Sequence, residues 1–238
     1  MESETLQQMP QEAQIHFTNE HRLEILSGDK EKVVGKVHSI RRRSTTKAGL
    51  ARVAIVTDIN IEVESFWGDY ALEAHEELII EDSAVIYYQG QSNENDREST
   101  IVAQATAEGL DINATGDKKS DNFTALLPPG EYDATSLSIG WVFANRYLSR
   151  GVTEATLKIL DLNDFKIKKT AVTQLDSAEL EVQGQRLDCL RLAMKSKRKR
   201  TEQWFAQDDS GIWLIKEQGE DSDGKYALRP TSTVNTEN

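Results

Sequence analysis

The sequence predicts an all-β protein built on a large curved antiparallel sheet, or open (half) barrel, with one short covering helix. Two observations support this: long segments in which apolar and polar residues alternate, and glycine- or aspartate-bearing turns between them. Segment 51–65 is the clearest case, because Val53 and Ile55 fall on one face and Asp58 and Glu62 on the other. Strands usually have about five or six residues, so this length favours a large curved sheet.

The alternation also predicts which side chains of this strand are buried. We expect the inward set to be Val53, Ile55, Ile59 and Ile61. We expect the outward set to be Arg52, Asp58, Glu62 and Glu64. A slip of one residue in register would exchange the two sets.

Segment 70–80 repeats the alternation and contains an unusual carboxylate. Glu76 takes a place on the apolar side, between Ala74 and Leu78. A carboxylate there must reach water, find a partner or titrate. Two interpretations stay open: Glu76 marks a polar point inside a ligand cavity, or it lies beside a bulge that turns it outward.

Further strands and turns fill most of the remaining chain. The predicted strands are 23–26, 32–43, 84–89, 100–107, 109–114, 156–162, 166–173, 178–183, 187–194, 201–206, 212–216 and 225–228. A corner is expected at 66–69. Pro128 and Pro129 indicate a connector, since proline lacks the donor that a central strand needs.

One helix is expected at 135–148, between the two runs of strands. Leu137, Trp141, Ala144 and Leu148 fall at helical spacing, and Gly151 can end the helix. This apolar stripe is predicted to cover an open face or end of the sheet.

Length and charge limit the classes of protein. The 238 residues suit a single β-rich domain, which we place at 21–229, with polar, flexible ends at 1–20 and 230–238. The net charge of -12 opposes general binding to nucleic acid or to anionic membranes. No apolar run approaches the roughly 20 residues of a membrane-spanning helix.

The cysteine and the N-terminal segment bear on compartment. Cys189 is the single cysteine, which excludes an intramolecular disulfide and multi-cysteine metal motifs, and its strand setting favours a buried thiol over a reactive one. Residues 1–10 lack the basic and apolar regions of a signal peptide. A cytosolic protein, or an exported one whose signal has been removed, would fit both features.

Two basic clusters, 195–200 and 41–43, are candidate phosphate contacts. The first lies between two predicted strands, where a solvated hairpin end would carry charge, and no aromatic residue interleaves with it. We therefore favour the hairpin end and predict no nucleic-acid partner.

Candidate residues for catalysis or metal binding are few. Glu73, His75 and Glu77 share one strand face, where a metal or a proton-transfer pair is conceivable, but that face opposes the apolar one and is expected to face solvent. No phosphate loop, nucleophile elbow or glycosidase carboxylate pair is present in the sequence. We predict no catalytic residue, metal or other cofactor.

Aromatic residues are spread over the predicted strands and helix. Core packing accounts for most of them, and a pocket lined by aromatics is the alternative. For such a pocket we select four candidate ligand-binding residues: Tyr70, Glu76, Trp141 and Trp204.

The C-terminal pattern resembles a known group of proteins. Segment 201–215, followed by 223–228, is similar to the closing hairpins of an uncharacterised family of bacterial β-rich proteins, in which a tryptophan-bearing strand leads into an aspartate-glycine turn. The long strands also resemble the half-barrels of periplasmic lipoprotein carriers. The resemblance implies a periplasmic or cell-envelope location and a hydrophobic-ligand or partner-binding role, and it carries over no catalytic residue.

The preferred function is non-enzymatic binding of an apolar or amphipathic ligand, such as an acyl chain, in a concave sheet. Two alternatives remain: an accessory or structural protein that binds a protein partner, and an enzyme whose site is not visible in the sequence. Ligand identity and oligomeric state do not follow from these residues.

Overall fold

A computed structural model describes residues 14–28, 32–46, 48–63, 69–81, 84–117, 122–162, 165–182, 184–197, 199–208, 211–221 and 224–231. The predicted fold class is confirmed. Strands dominate the described residues, they form one large open antiparallel sheet, and one short helical segment accompanies it. The predicted corner at 66–69 lies, apart from Asp69, outside the described residues.

The sheet follows the chain mostly as a series of hairpins. Its strands are β1 (Gln14–Ser27), β2 (Lys32–Thr45), β3 (Ala51–Val63), β4 (Tyr70–Glu81), β5 (Ala84–Glu94), β6 (Arg97–Thr106), β7 (Gly109–Gly116), β8 (Phe123–Leu127), β9 (Ala134–Thr135), β10 (Glu154–Asp161), β11 (Lys166–Val182), β12 (Gln185–Lys195), β13 (Arg200–Asp208), β14 (Gly211–Asp221) and β15 (Gly224–Pro230). Strands adjacent in sequence are neighbours from β1 to β8 and from β9 to β15. β15 pairs antiparallel with β1, the short strand β9 pairs in parallel with β10, and β8 and β9 end the order.

The chain divides into two compact units. The first contains the described residues up to Glu20 together with Val37–Tyr132, and the second contains His21–Lys36 and the described residues from Asp133 onward. The single domain at 21–229 stays a prediction. Residues 14–20, within the segment expected to be flexible, belong to β1. The rest of that segment, and 232–238, lie outside the described residues.

β3 forms over the predicted alternation, but its burial changes along its length. Residues 54–57 are buried on both faces, whereas from Asp58 onward half-buried and exposed residues alternate. Ile55 is buried as expected, but Val53, Ile59 and Ile61 are only half-buried. The expectation for those three was therefore too strong, because alternation fixes the face of a side chain and not what covers that face.

The outward set is also only partly exposed. Asp58 and Glu62 are exposed, but Arg52 is half-buried because its guanidinium bonds to Glu81 on β4. Glu64 lies outside the described residues.

The helical segment lies near its predicted place, and Trp141 and Leu148 of the predicted stripe pack on the core as half-buried residues, but the fully buried residues are others. It begins as α1 (Ile139–Val142), continues as a π-helical turn (Phe143–Tyr147) and a 3-10 turn (Leu148–Arg150), and ends at Gly151 with φ 73°. Leu137 precedes the helix and is 42% exposed, which corrects its predicted place in the covering stripe. The buried residues are Ile139, Val142 and Phe143. Hydrogen bonds between Thr135 and Ser138 form a turn that delays the helix start.

In the second unit, the helical segment covers one face of the sheet. Its buried side chains pack with Leu157, Val172, Leu192 and Phe205 of β10 to β13. The ring of Phe205 sits against Gly140, where an added Cβ would lie 2.4 Å from a ring carbon. Glycine therefore permits this close approach of helix and strand.

Candidate functional site

The first unit carries an apolar surface of paired side chains, which we call the apolar strip. Its cross-strand pairs are Val63 with Tyr70, Ile61 with Leu72, and Ile59 with Ala74, all between β3 and β4. All six side chains are half-buried. Each therefore retains apolar area that further burial could remove from water.

Glu76 continues the same face and is opposite Thr57. The ladder between β3 and β4 runs without a register shift, so no bulge there turns Glu76 outward. The hydroxyl of Tyr88 donates a hydrogen bond to Oε1 of Glu76 at 3.2 Å. This hydrogen bond satisfies one carboxylate oxygen of Glu76, which is thus a polar point beside the apolar strip.

A second polar point lies at the other end of the strip. The Tyr70 side chain is bonded to Glu94 on β5. Burial, the charge of Glu94 and this hydrogen bond raise the pKa of Tyr70 above its ordinary value. Tyr70 is therefore a neutral hydroxyl donor near pH 7. Tyr70 and Glu76 are the two predicted ligand-binding residues that the structure brings onto one face.

The two predicted tryptophans belong to the second unit and lie on opposite faces of its sheet. Trp141 packs on the cluster that contains Phe205. Trp204, the neighbour of Phe205 in β13, packs on the other face with Cys189 and Ile215. The two rings therefore cannot line the same side of the sheet.

Trp204 is flanked by two cations, which the sequence gave no means of expecting. The Arg191 guanidinium carbon lies 5.5 Å from the Trp204 ring centroid, and Nζ of Lys216 lies 4.5 Å from it. Cations attract the electron-rich face of tryptophan at such distances. Lys216 also lines a groove of about 330 Å³ together with Leu26, Val182 and Leu228. This surface is separate from that of Trp141.

The predicted set Glu73, His75 and Glu77 is only partly brought together. His75 contacts Glu77 and, on β3, Asp58, whereas Glu73 is exposed and is not among the groups bonded to His75. Among the residues that the structure describes, no group of three or more histidine, cysteine, aspartate or glutamate side chains could hold a metal ion. In the same residues, no helix is long and apolar enough to cross a membrane.

The basic cluster 195–200 lies at a hairpin end, as predicted. Lys195 pairs with Arg200 across β12 and β13, and the turn is closed by a hydrogen bond from Ser196 N to Lys199 O at 2.9 Å. Lys197 and Lys199 are both exposed, and Arg198 lies outside the described residues. Nζ of Lys199 nevertheless lies 4.9 Å from the Tyr226 ring centroid and 3.9 Å from Glu217. This lysine therefore has contacts that a purely solvated turn would lack.

Comparison with known proteins bears on the fold. No protein-family model matches the chain. No curated protein matches it either. The chain is similar to the crystal structure of a β-barrel-like protein of the domain of unknown function DUF1849 from Brucella abortus, with a TM-score of 0.53 at 8% identity. The likeness covers 91% of this chain and 98% of that one.

This likeness is one of fold alone. It supports the coarser part of the predicted resemblance, a β-rich, barrel-like fold found in an uncharacterised domain. At such low identity it assigns no ligand and no site residue to this chain.

Proposed function

We propose that this chain is a non-enzymatic binding protein that holds an apolar or amphipathic ligand, such as an acyl chain, along the apolar strip. The supporting observation is the set of three cross-strand pairs of half-buried side chains, on β3 and β4, that lead to a polar point at Glu76. A ligand laid along these pairs would complete the burial of each one.

The driving force would be removal of apolar area from water. At roughly 25 cal/mol per Å², burying about 200 Å² of strip and ligand surface would contribute about 5 kcal/mol before the entropy of binding is subtracted. The polar points at the two ends of the apolar strip would orient the ligand. Glu76 with Tyr88 at one end and Tyr70 with Glu94 at the other would set the position of a polar head group.

The proposal extends to location and role. A periplasmic or envelope protein that carries acyl chains, like the half-barrel lipoprotein carriers, would use such a strip. What supports this extension is the sequence resemblance of 201–215 and 223–228 and the barrel-like fold of the similar structure.

The test is binding of a fluorescent fatty acid, 11-(dansylamino)undecanoic acid, to the full chain. We expect saturable binding with a rise in dansyl emission. Ile61→Gln and Leu72→Gln should each weaken it about tenfold or more, because a polar amide replaces an apolar contact. Glu62→Gln is the matched control, since this exposed residue neighbours Ile61 and points to the opposite face. It should leave the affinity unchanged.

The proposal is wrong if the native chain takes up no probe, or if both strip variants bind it normally while keeping native circular dichroism. The partner-binding alternative would then take first place. Its starting point would be β8, which ends the strand order and exposes 46% of Leu126.

A further inference from the structure

Five side chains of the first unit form a row across four neighbouring strands, β1 to β4, which we call the carboxylate–imidazole row. In order they are Glu20, His38, Asp58, His75 and Glu77. Carboxylates and imidazoles alternate, so that each histidine stands between two carboxylates. The row crosses the sheet on the face opposite to Glu76, because Asp58 and His75 pair next to Thr57 and Glu76.

The contacts are closest around His75. Its Nδ1 lies 2.7 Å from Oδ1 of Asp58, and its Nε2 lies 3.2 Å from Oε1 of Glu77. At the other end, Nε2 of His38 lies 2.9 Å from Oε1 of Glu20, and its Nδ1 lies 3.8 Å from Oδ2 of Asp58. Asp58 therefore stands between the two rings.

The number of N–H donors on the His75 ring decides which of its protonation states suits this geometry. A neutral imidazole has one N–H donor and one acceptor nitrogen, and an ionised carboxylate only accepts. Neutral His75 could therefore donate to Asp58 or to Glu77 but not to both. The Glu77 side chain is 8% exposed, so losing its donor would leave a carboxylate oxygen in a largely dry site. Only the doubly protonated ring satisfies both neighbours.

Other polar groups surround the row. On the same face of the neighbouring strands lie Asn60 and Glu62 in β3, Glu73 in β4, and Gln89, Gln91 and Asn93 in β5. Lys36 precedes His38 by two positions in β2, and Arg22 follows Glu20 by two in β1. These groups on β3 to β5 are neutral or acidic. Arg52 lies on the same face of β3, six positions before Asp58, and is paired with Glu81, so the groups nearest to His75 on those strands add no positive charge that would oppose its protonation.

We propose that His75 makes the carboxylate–imidazole row a proton-sensitive clasp: the doubly protonated ring bonds both to Asp58 on β3 and to Glu77 on its own strand β4, and loss of one proton as pH rises releases one of these two contacts. The device is independent of ligand binding on the apolar strip. Its working range is the range over which histidine titrates in proteins.

The pKa of His75 is shifted in the direction that this clasp requires. Partial burial lowers the pKa of His75, but its hydrogen bonds to Asp58 and Glu77 and their charges outweigh burial, and the pKa stands above its ordinary value of 6.5. A raised pKa in the folded state means that the stabilisation is complete below the unfolded pKa. It is lost as pH rises through the folded pKa.

The test follows the four histidine rings by NMR in the full chain, with His75 assigned from His75→Gln. We expect His75 to titrate at a higher pH than histidine in the unfolded chain, with both ring nitrogens protonated below that midpoint. Asp58→Asn should lower the midpoint, because it removes the charge shared by the two rings. Asp58 is 58% exposed, so this variant is expected to fold. Glu73→Gln is the matched control and should leave the midpoint in place.

Denaturant unfolding supplies the second readout. The stability lost in His75→Gln should be larger at pH 5.5 than at pH 8.5, since only the protonated ring makes both contacts. The clasp is refuted if His75 titrates at or below the unfolded value, if Asp58→Asn and Glu73→Gln shift it equally, or if the loss in His75→Gln is the same at both pH values.

Discussion

The ring of Tyr88 lies over Gly90, and its hydroxyl bonds to the carboxylate of Glu76 on the next strand. A Cβ added at Gly90 would stand 2.5 Å from the Tyr88 hydroxyl oxygen. The second unit repeats the arrangement: the Tyr226 ring covers Gly219, and its hydroxyl bonds to Glu217 at 2.6 Å. In both places a bare glycine lets a tyrosine lie on the sheet and reach a carboxylate of the neighbouring strand.

Tyr88→Phe should lower the free energy of unfolding by about 1 kcal/mol, because it removes the donor to Glu76 without removing the ring. Urea unfolding followed by circular dichroism measures the change. Tyr87→Phe is the matched control: its hydroxyl bonds to Gln89 at 2.6 Å, but the ring is only half-buried on the other face. A loss in Tyr87→Phe equal to that in Tyr88→Phe would contradict a special role for the Glu76 contact.

Gly90→Ala should destabilise the chain by about 1–3 kcal/mol, the usual range for overpacking. The clash with Tyr88 outweighs the roughly 0.5–1 kcal/mol that replacing a strand glycine otherwise gains. The double variant Gly90→Ala with Tyr88→Ala should show no further loss from the alanine at 90, since the ring is gone. Strict additivity in this double-mutant cycle, measured by urea unfolding, would refute the tyrosine-over-glycine packing.

The sequence predicted the strands more reliably than the environment of their side chains. Alternation in 51–65 located β3, and alternation in 70–80 put Glu76 on the apolar side of β4, because both depend on the period of two within one strand. It did not predict that Tyr88 is the partner of Glu76. That contact depends on the pairing of β4 with β5, which includes a register shift between Ile79 and Ile80.

Contacts between distant strands were missed for the same reason. His38 has no sequence spacing that relates it to His75, and Asp58 on the intervening strand joins them. Trp141 and Trp204 were grouped by residue type alone, and neighbouring positions in β13 send Trp204 and Phe205 to opposite faces. Side-chain chemistry selects candidates, but strand register decides which of them meet.

The two lysines of the β12–β13 hairpin end should differ in their effect on stability. Lys197→Ser should be neutral. Lys199→Ser should cost at most about 0.5 kcal/mol, because the Lys199 side chain is 50% exposed and its nitrogen lies 3.9 Å from Glu217. Urea unfolding at low and high salt measures the stability of both variants. The stability lost in Lys199→Ser should be smaller at high salt. A salt-sensitive affinity of the native chain for nucleic acid, lost in these variants, would overturn the structural interpretation of the cluster.

Cys189 should react slowly in the folded chain. It is 2% exposed, and burial together with the charge of Asp188 raises the pKa of its thiol, which suppresses the reactive thiolate. We expect labelling by 5,5′-dithiobis(2-nitrobenzoic acid) at pH 8 to be many-fold slower in the native chain than in guanidinium chloride. Lys197→Cys combined with Cys189→Ser supplies the reference for an exposed thiol and should label rapidly while folded. If native Cys189 labelled as fast as that reference, β12 would have to open readily, and the packing of Cys189 with Trp204 and Ile215 could not represent the stable core of the second unit.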